Sequence, residues 1–318
     1  MKLSILSGLI SGCGDRPGMR DENEVFQTLR EIGFDNIDIP FDFITCPTYL
    51  LGGDDWQQKV DKLADTAAKL GMAVPQSHLP WVQGGWFDRD PRRGFCPDFK
   101  EYFTECMRRS YVASQMLGVR YATVHPMGYH DAVDSTEIQL RRNHEYYDKL
   151  VEYGARLGVG TAFENMRPDC PAWGSATRYS QYYRDLIELV DSYHDPLVGI
   201  CWDTGHAHQS GTDQAVAIRA MGSRLKNLHI NDNHYGTRDE HLLPFMGEID
   251  WESLLTALVE IDYQGVLNYE VGKVVKWAPE ALQREMMKTV YANGCQLLVM
   301  YEKIEAEHKA ADNKGGSQ

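Results

Sequence analysis

The chain has 318 residues, 43% hydrophobic, 25% charged and 11% aromatic, proportions that exclude a disordered, collagen-like or fibrous protein. Thirty-two Lys and Arg against 46 Asp and Glu leave a net charge of −14, a field that repels phosphate backbones and anionic lipid, so nucleic acid is not an expected partner. Apolar runs are strand-sized, far short of the ~20 residues of a membrane span, and the N-terminal MKLSILSGLI lacks a signal-peptide pattern, so the expected location is the cytoplasm.

Taken in chain order, short β-rich runs alternate with segments of helical spacing. The predicted strands are Lys2–Ser7, Asn36–Phe41, Ala73–Leu79, Arg120–Pro126, Gly160–Asn165, Leu197–His206, Leu225–Asp232 and Gly265–Val271, each bounded by Gly, Pro or Asp. Between Asp98 and Leu117, Phe99, Phe103, Cys106, Ala113 and Leu117 share one helical face, as do Leu282, Met286, Val290, Leu297, Tyr301 and Ile304 near the end. Gly33, Gly71, Gly118 and Gly158 stand where helices should stop before a strand. Eight β–α alternations without a composition break predict an α/β fold, a single (β/α)8 TIM barrel over residues 1–304. No Gly-x-Gly-x-x-Gly follows the first strand and no phosphate loop is present. Residues 305–318, polar and glycine-ended, read as a frayed tail. The seven cysteines, Cys13, Cys46, Cys96, Cys106, Cys170, Cys201 and Cys295, are scattered, odd in number and without a C-x-x-C pair, which points to reduced thiols. One long connection, Pro80 to Pro97, carries Trp81, Trp86 and Phe87 and reads as a rim loop or as a lid that shields a substrate from water.

A barrel of this kind builds its active site at the C-terminal ends of its strands. Strand 3 ends near His78, strand 4 near His125, strand 5 in Glu164, strand 6 in Asp203 through His206, strand 7 in His229, and strand 8 in Glu270. Alternation in strand 6 sends Val198, Ile200 and Trp202 to the helices and Asp203 to the axis; in strand 5 it sets Glu164 opposite Phe163. A lone His or Glu at a strand end is more often a hydrogen-bonding group than a ligand. Four at matching positions on successive strands reverse that weighting. Glu164, Asp203, His229 and Glu270 form an oxygen-rich set suited to Mn²⁺, Mg²⁺, Co²⁺ or Zn²⁺, and without a cation three neighbouring carboxylates would repel one another. His78 and His125 are read as second-metal ligands, substrate contacts or hydrogen-bonded rim residues. Asp239 and His241, two apart, could share a ligand, while Asp250 is placed to cap a helix starting near Trp251. Arg167 or Arg238 could contact an anion or face solvent.

The ordered series His-x-Pro, Val-His-Pro, Phe-Glu-Asn, Cys-Trp-Asp-Thr-Gly-His, Leu-His-Ile-Asn-Asp, Asp-x-His-Leu-x-Pro with Gly-x-Ile-Asp-Trp, and Tyr-Glu resembles the xylose isomerase-like TIM barrel superfamily. It looks most like the sugar phosphate isomerase/epimerase branch, over essentially the whole chain except the tail. The resemblance implies one divalent metal ion, manganese among the candidates, held by Glu164, Asp203, His229 and Glu270. It implies Glu164 and Glu270 as the acid–base pair of a ketose isomerase or epimerase in carbohydrate metabolism, working through a metal-stabilised enediolate. His206 would help hold a small-molecule sugar, with His78, His125, Asp239 and His241 as further substrate contacts and Trp81 and Trp86 stacking on its apolar face. Barrels of this kind often form homo-oligomers.

The same superfamily contains abasic-site endonucleases (AP endonuclease family 2) with a three-zinc cluster. Their extended ligand set resembles His78, His125, Glu164, Asp203, His206, His229, Asp239, His241 and Glu270, all present. The negative charge speaks against that reading, as do Asp-Thr-Gly-His where the nucleases favour Asp-Thr-Cys-His and Leu-Leu-Pro-Phe-Met-Gly after His241 where a Gly-x-Gly is expected. A keto-inositol dehydratase is a further alternative, as is a sugar-binding barrel without turnover.

Overall fold

The computed structural model describes residues 1–9, 21–41, 50–80, 99–127, 136–168, 179–236 and 239–315. Its strands are β1 (Leu3–Leu6), β2 (Asn36–Pro40), β3 (Ala73–His78), β4 (Tyr121–Val124), β5 (Gly160–Glu164), β6 (Val198–Asp203), β7 (Leu225–His229) and β8 (Leu267–Tyr269). From β1 to β7 each pairs in parallel with the next, and β1 also pairs with β8. The last gap closes at a bridge between Ile230 and Tyr269. There the Ile230 N–H donates to Asn268 O at 2.7 Å and the Glu270 N–H to Ile230 O at 2.9 Å. The ring is the (β/α)8 barrel that the alternation predicts.

Around it lie α1 (Glu22–Ile32), α2 (Trp56–Leu70), α3 (Phe99–Met116), α4 (Thr136–Arg156), α5 (Tyr183–Ser192), α6 (Thr204–Gln209), α7 (Gln214–Met221), α8 (Trp251–Glu260), α9 (Gly272–Lys276) and α10 (Glu280–Gly315). The predicted stops Gly71, Gly118 and Gly158 have φ of 64°, 74° and 74°, the left-handed conformation that glycine enters without a steric cost. Ile37 and Ile39 of β2 and Val198, Ile200 and Trp202 of β6 belong to the apolar core. Trp202 is fully buried and its Nε1–H donates to Gln214 Oε1 of α7 at 3.2 Å, so this face of β6 meets the helices as expected. The alternate residues point into the ring, where Cys201 packs with Tyr121 and Ala162 and Asn227 Nδ2 of β7 reaches across to Thr123 Oγ1 of β4 at 3.0 Å.

Two boundaries differ from the sequence reading. The sixth strand stops at Asp203 rather than His206, because the Asp203 carboxylate accepts the His206 N–H at 2.7 Å and starts α6. The segment read as a frayed tail is helical to Gly315. Its charges are spaced one turn apart, with Lys309 Nζ 2.8 Å from Glu305 and Lys303 Nζ 3.9 Å from Glu307, which supports a helix that buries little there. Among the described residues no helix is long and apolar enough to cross a membrane.

Candidate active site

β5, β6, β7 and the residue after β8 deliver Glu164, Asp203, His229 and Glu270 to one spot at the C-terminal mouth, with one ligand atom from each within 4.8 Å of the others. Glu164 divides its carboxylate among three histidines. Oε1 lies 2.9 Å from His229 Nδ1, while Oε2 lies 3.1 Å from His125 Nε2 and 3.2 Å from His78 Nε2. Glu270 Oε2 approaches His229 Nδ1 to 3.0 Å but makes no aligned hydrogen bond, leaving a buried oxygen orphaned. Asp203 Oδ2 accepts from Asn231 Nδ2 at 3.0 Å.

Glu164, Asp203 and His229 are no more than 1% exposed, so their charges act at low dielectric. Burial pushes the Asp203 carboxyl up to about 6; His206 pulls it down, and Glu270 and Glu164 repel its charged form. Burial also opposes ionisation of Glu164, but His229 and His125 outweigh it and hold that carboxyl well below its usual range. The Cys201 thiol beneath the site is pushed up to about 12 by burial and stays neutral. Three carboxylates and an orphaned oxygen around one imidazole match the donor set of a hard or borderline divalent cation, and the residues fit such an ion.

Three rim histidines have their tautomers set by carbonyls. The Nδ1–H of His78 donates to Leu79 O at 2.8 Å, that of His206 to Asn165 O at 2.9 Å, and that of His241 to Glu270 O at 2.6 Å. Each Nε2 is thereby turned toward the mouth. His241 Nε2 meets Asp239 Oδ2 at 2.8 Å, and His206 Nε2 stands 4.0 Å from the same oxygen. Burial opposes protonation of His241, yet Asp239 lifts it to about 9. Arg167 Nε and Lys273 Nζ lie 3.8 and 3.9 Å from Asp239 Oδ2, and Lys273 also donates to the Asp239 carbonyl.

All nine residues of the extended set therefore share one mouth. Trp81, Trp86 and Arg238 lie outside the described residues. Asp250 caps α8 by accepting the Ser253 N–H at 3.1 Å. Sequence reasoning missed the groups that hold the site in place. Asn165 clamps the Asp203 backbone, its Oδ1 accepting the Asp203 N–H at 2.6 Å and its Nδ2 donating to Asp203 O at 2.9 Å. Asp232 is fully buried and organises the loop before α8, accepting from the Phe245 N–H (3.0 Å), the Ile249 N–H (3.2 Å) and Trp251 Nε1–H (3.0 Å). Asp38 of β2 lies below His229, with Oδ2 3.5 Å from Nε2. A signal for Asp38 was present, since it alternates with Ile37 and Ile39 as Asp203 does with Trp202. Lys273 had none.

A profile of the xylose isomerase-like TIM barrel family matches residues 26–291. The chain belongs to that family. Among curated relatives it is 35% identical over 89 residues to an uncharacterized protein of Sinorhizobium fredii, 28% of each chain. To inosose isomerase of Bacillus subtilis it is 26% identical over 183 residues, 55% of this chain and 63% of that one. The chain thus spans less than two thirds of either relative. An L-ribulose 3-epimerase structure superposes with a TM-score of 0.71 at 17% identity, covering 98% of this chain and 97% of that one. The IOLI protein with a bound zinc atom gives 0.70 at 20% identity, covering 95% and 99%. At these identities the two likenesses show the xylose isomerase-like fold.

Proposed function

We propose that the chain is a divalent-metal-dependent sugar isomerase or epimerase acting on a ketose, with Glu164 and Glu270 as its acid–base pair. The observation that carries this reading is the meeting of both glutamates on His229 Nδ1, at 2.9 and 3.0 Å, beside Asp203 at the mouth of the barrel. Glu164, Asp203, His229 and Glu270 would hold the ion, which when bound would polarise a substrate carbonyl and acidify the adjacent C–H. Both glutamates are held ionised chiefly by His229 against burial, the state in which a carboxylate accepts a proton. One removes the proton next to the carbonyl and the other returns it, to the opposite face in an epimerase or to the neighbouring carbon in an isomerase. His78, His125, His206, Asp239 and His241 line the same mouth and offer contacts to sugar hydroxyls, with Trp81 and Trp86 assigned to its apolar face. Relatives named as an inosose isomerase and a D-psicose 3-epimerase support this class.

The nuclease reading is weakened by one position. A Cβ on Gly205 would lie 1.8 Å from Asn231 Oδ1 and 2.9 Å from Asn233 Nδ2. Both amides are buried and engaged, the first with Asp203 and the second with Gly205 O. The Cys that the nucleases favour there would displace the partner of a ligand carboxylate. The test is metal content of the chain purified without chelator, followed by turnover on a ketose panel. About one ion per chain with ketose turnover is expected. Near three zinc ions with nicking of abasic DNA would overturn the reading, and a count of two would reassign His78, His125 and Glu164 Oε2 to a second ion.

A further inference from the structure

Asp38 of β2 is a fully buried carboxylate inside the barrel. Its Oδ2 accepts from Gln76 Nε2 of β3 and from Asn268 Nδ2 of β8, each at 2.8 Å, and Gln76 Nε2 also reaches Leu228 O at 3.3 Å. The two amides come from strands on different sides of β2 and aim the carboxylate at β7. There His229 Nε2 lies 3.5 Å from Oδ2, and neither Asp38 Oδ1 nor His229 Nε2 has another hydrogen-bond partner. A buried carboxylate is costly unless a positive group answers it, and the two amides are neutral. Among the described residues the imidazole of His229 is the one basic side chain that reaches it.

The geometry separates the two nitrogens of His229. Nδ1 faces Glu164 and Glu270, and Nε2 faces Asp38. If a neutral ring carried its proton on Nδ1, the Nε2 lone pair would point at an anion. The Nδ1 edge likewise faces carboxylates and in the metal-free chain needs an N–H there; a divalent ion seated at Nδ1 would take that proton's place and leave the ring's one proton on Nε2, toward Asp38. We infer that Asp38 is the positioning residue for His229, receiving its Nε2–H so that Nδ1 is presented to a divalent cation. The inference rests on the proposed role of His229 as a ligand. A carboxylate behind a ligating imidazole orients the ring and raises its basicity, and losing such a partner costs about tenfold to a hundredfold in metal affinity. Asp38 is fully buried on the far side of the His229 ring from the two glutamates, so its effect should enter through metal binding rather than the chemical step.

The experiment titrates Mn²⁺ and Zn²⁺ into chelator-stripped full-length chain by calorimetry, for the wild type, Asp38→Asn and His229→Gln, with circular dichroism confirming the fold. Asp38→Asn should raise the metal dissociation constant about tenfold to a hundredfold and leave kcat at saturating metal within a few-fold. A folded Asp38→Asn protein with unchanged metal affinity would overturn the inference, because a purely structural role lowers melting temperature and not affinity. If that variant does not fold, long-range ¹H–¹⁵N spectra of histidine-labelled wild type with Zn²⁺ decide. A proton on His229 Nε2 with a metal-shifted Nδ1 supports the inference, and an unprotonated Nε2 rejects it. Wild type that binds no metal, or His229→Gln that binds as tightly, defeats the functional reading itself and the inference with it. That result is seen with Asp38 intact and so is distinct from the first.

Discussion

His144 on α4 and His229 on β7 both sit between oxygen partners at hydrogen-bond distance. His144 has Asp148 Oδ1 at 2.8 Å from Nδ1 and Ser192 Oγ at 2.7 Å from Nε2, distances that would suit a Ser–His–Asp hydrolase. His229 has two glutamates on Nδ1 and a third carboxylate behind Nε2. The surroundings separate them. Asp148 is 59% exposed, Ser192 donates its own proton to Leu189 O at 2.6 Å, and it ends α5, where the free backbone groups are carbonyls that would repel an oxyanion. The His144 group is a tie between two outer helices. Around His229 the carboxylates come from separate strands or strand ends, are buried at Asp38 and Glu164 and half-buried at Glu270, and leave oxygens unanswered. Distance between residue types is therefore a poor guide to chemistry here, and convergence with unmet polar demand is the better one.

Substitutions at the two histidine groups test that contrast. Glu270→Gln should lower kcat by about a thousandfold, within the range for loss of a general acid or base, with the melting temperature little changed; wild-type turnover in this variant would remove Glu270 from the acid–base pair. Asp232→Ala removes the carboxylate that accepts the Phe245 and Ile249 N–H groups and the Trp251 indole N–H, and each donor left unmet should cost about 1–3 kcal/mol of stability in denaturant unfolding. Metal at about a hundred times its dissociation constant should stabilise the wild type by about 2.7 kcal/mol, an effect absent on adding EDTA and absent in His229→Gln. His241 supplies the pH test. Its folded value of about 9 lies above the ordinary 6.5, so the stability it contributes is complete below about 6.5 and lost as the pH climbs through about 9. The stability gap between metal-free wild type and His241→Gln should thus be wide at pH 6 and nearly closed at pH 10. The smallest effect belongs to His144→Ala, expected within about 1 kcal/mol for a partly exposed pair and with unchanged turnover. A loss of activity there comparable to that of Glu270→Gln would erase the distinction.

Much of the barrel and of the His229 side of this contrast was legible in the sequence. All eight strands were readable, and alternation turned Glu164 of the fifth and Asp203 of the sixth to the inner face, because alternation and Gly stops are local signals. The strand that overran, through Thr204, Gly205 and His206, did so because an N-cap aspartate and a strand-end ligand are the same residue, Asp203. Asp38 carries no strand-end signal, because it lies in the middle of β2. Asn165 looked like part of a motif, whereas its amide is the clamp that holds the Asp203 backbone.

The sequence alone determined the barrel and the rim on which its acids and histidines collect, since period-two strands and 3.6-period helices are readable from neighbouring residues. Tertiary structure decided which atoms meet. Ring closure between β7 and β8 sets Asn268 against Asp38, and Asp38 against His229, across separations that no local pattern encodes. The division of Glu164 between His229 on one oxygen and His78 and His125 on the other likewise arises only when the eight strands are curled together. Directional hydrogen bonds and buried charge depend on that closed geometry, whereas periodicity does not.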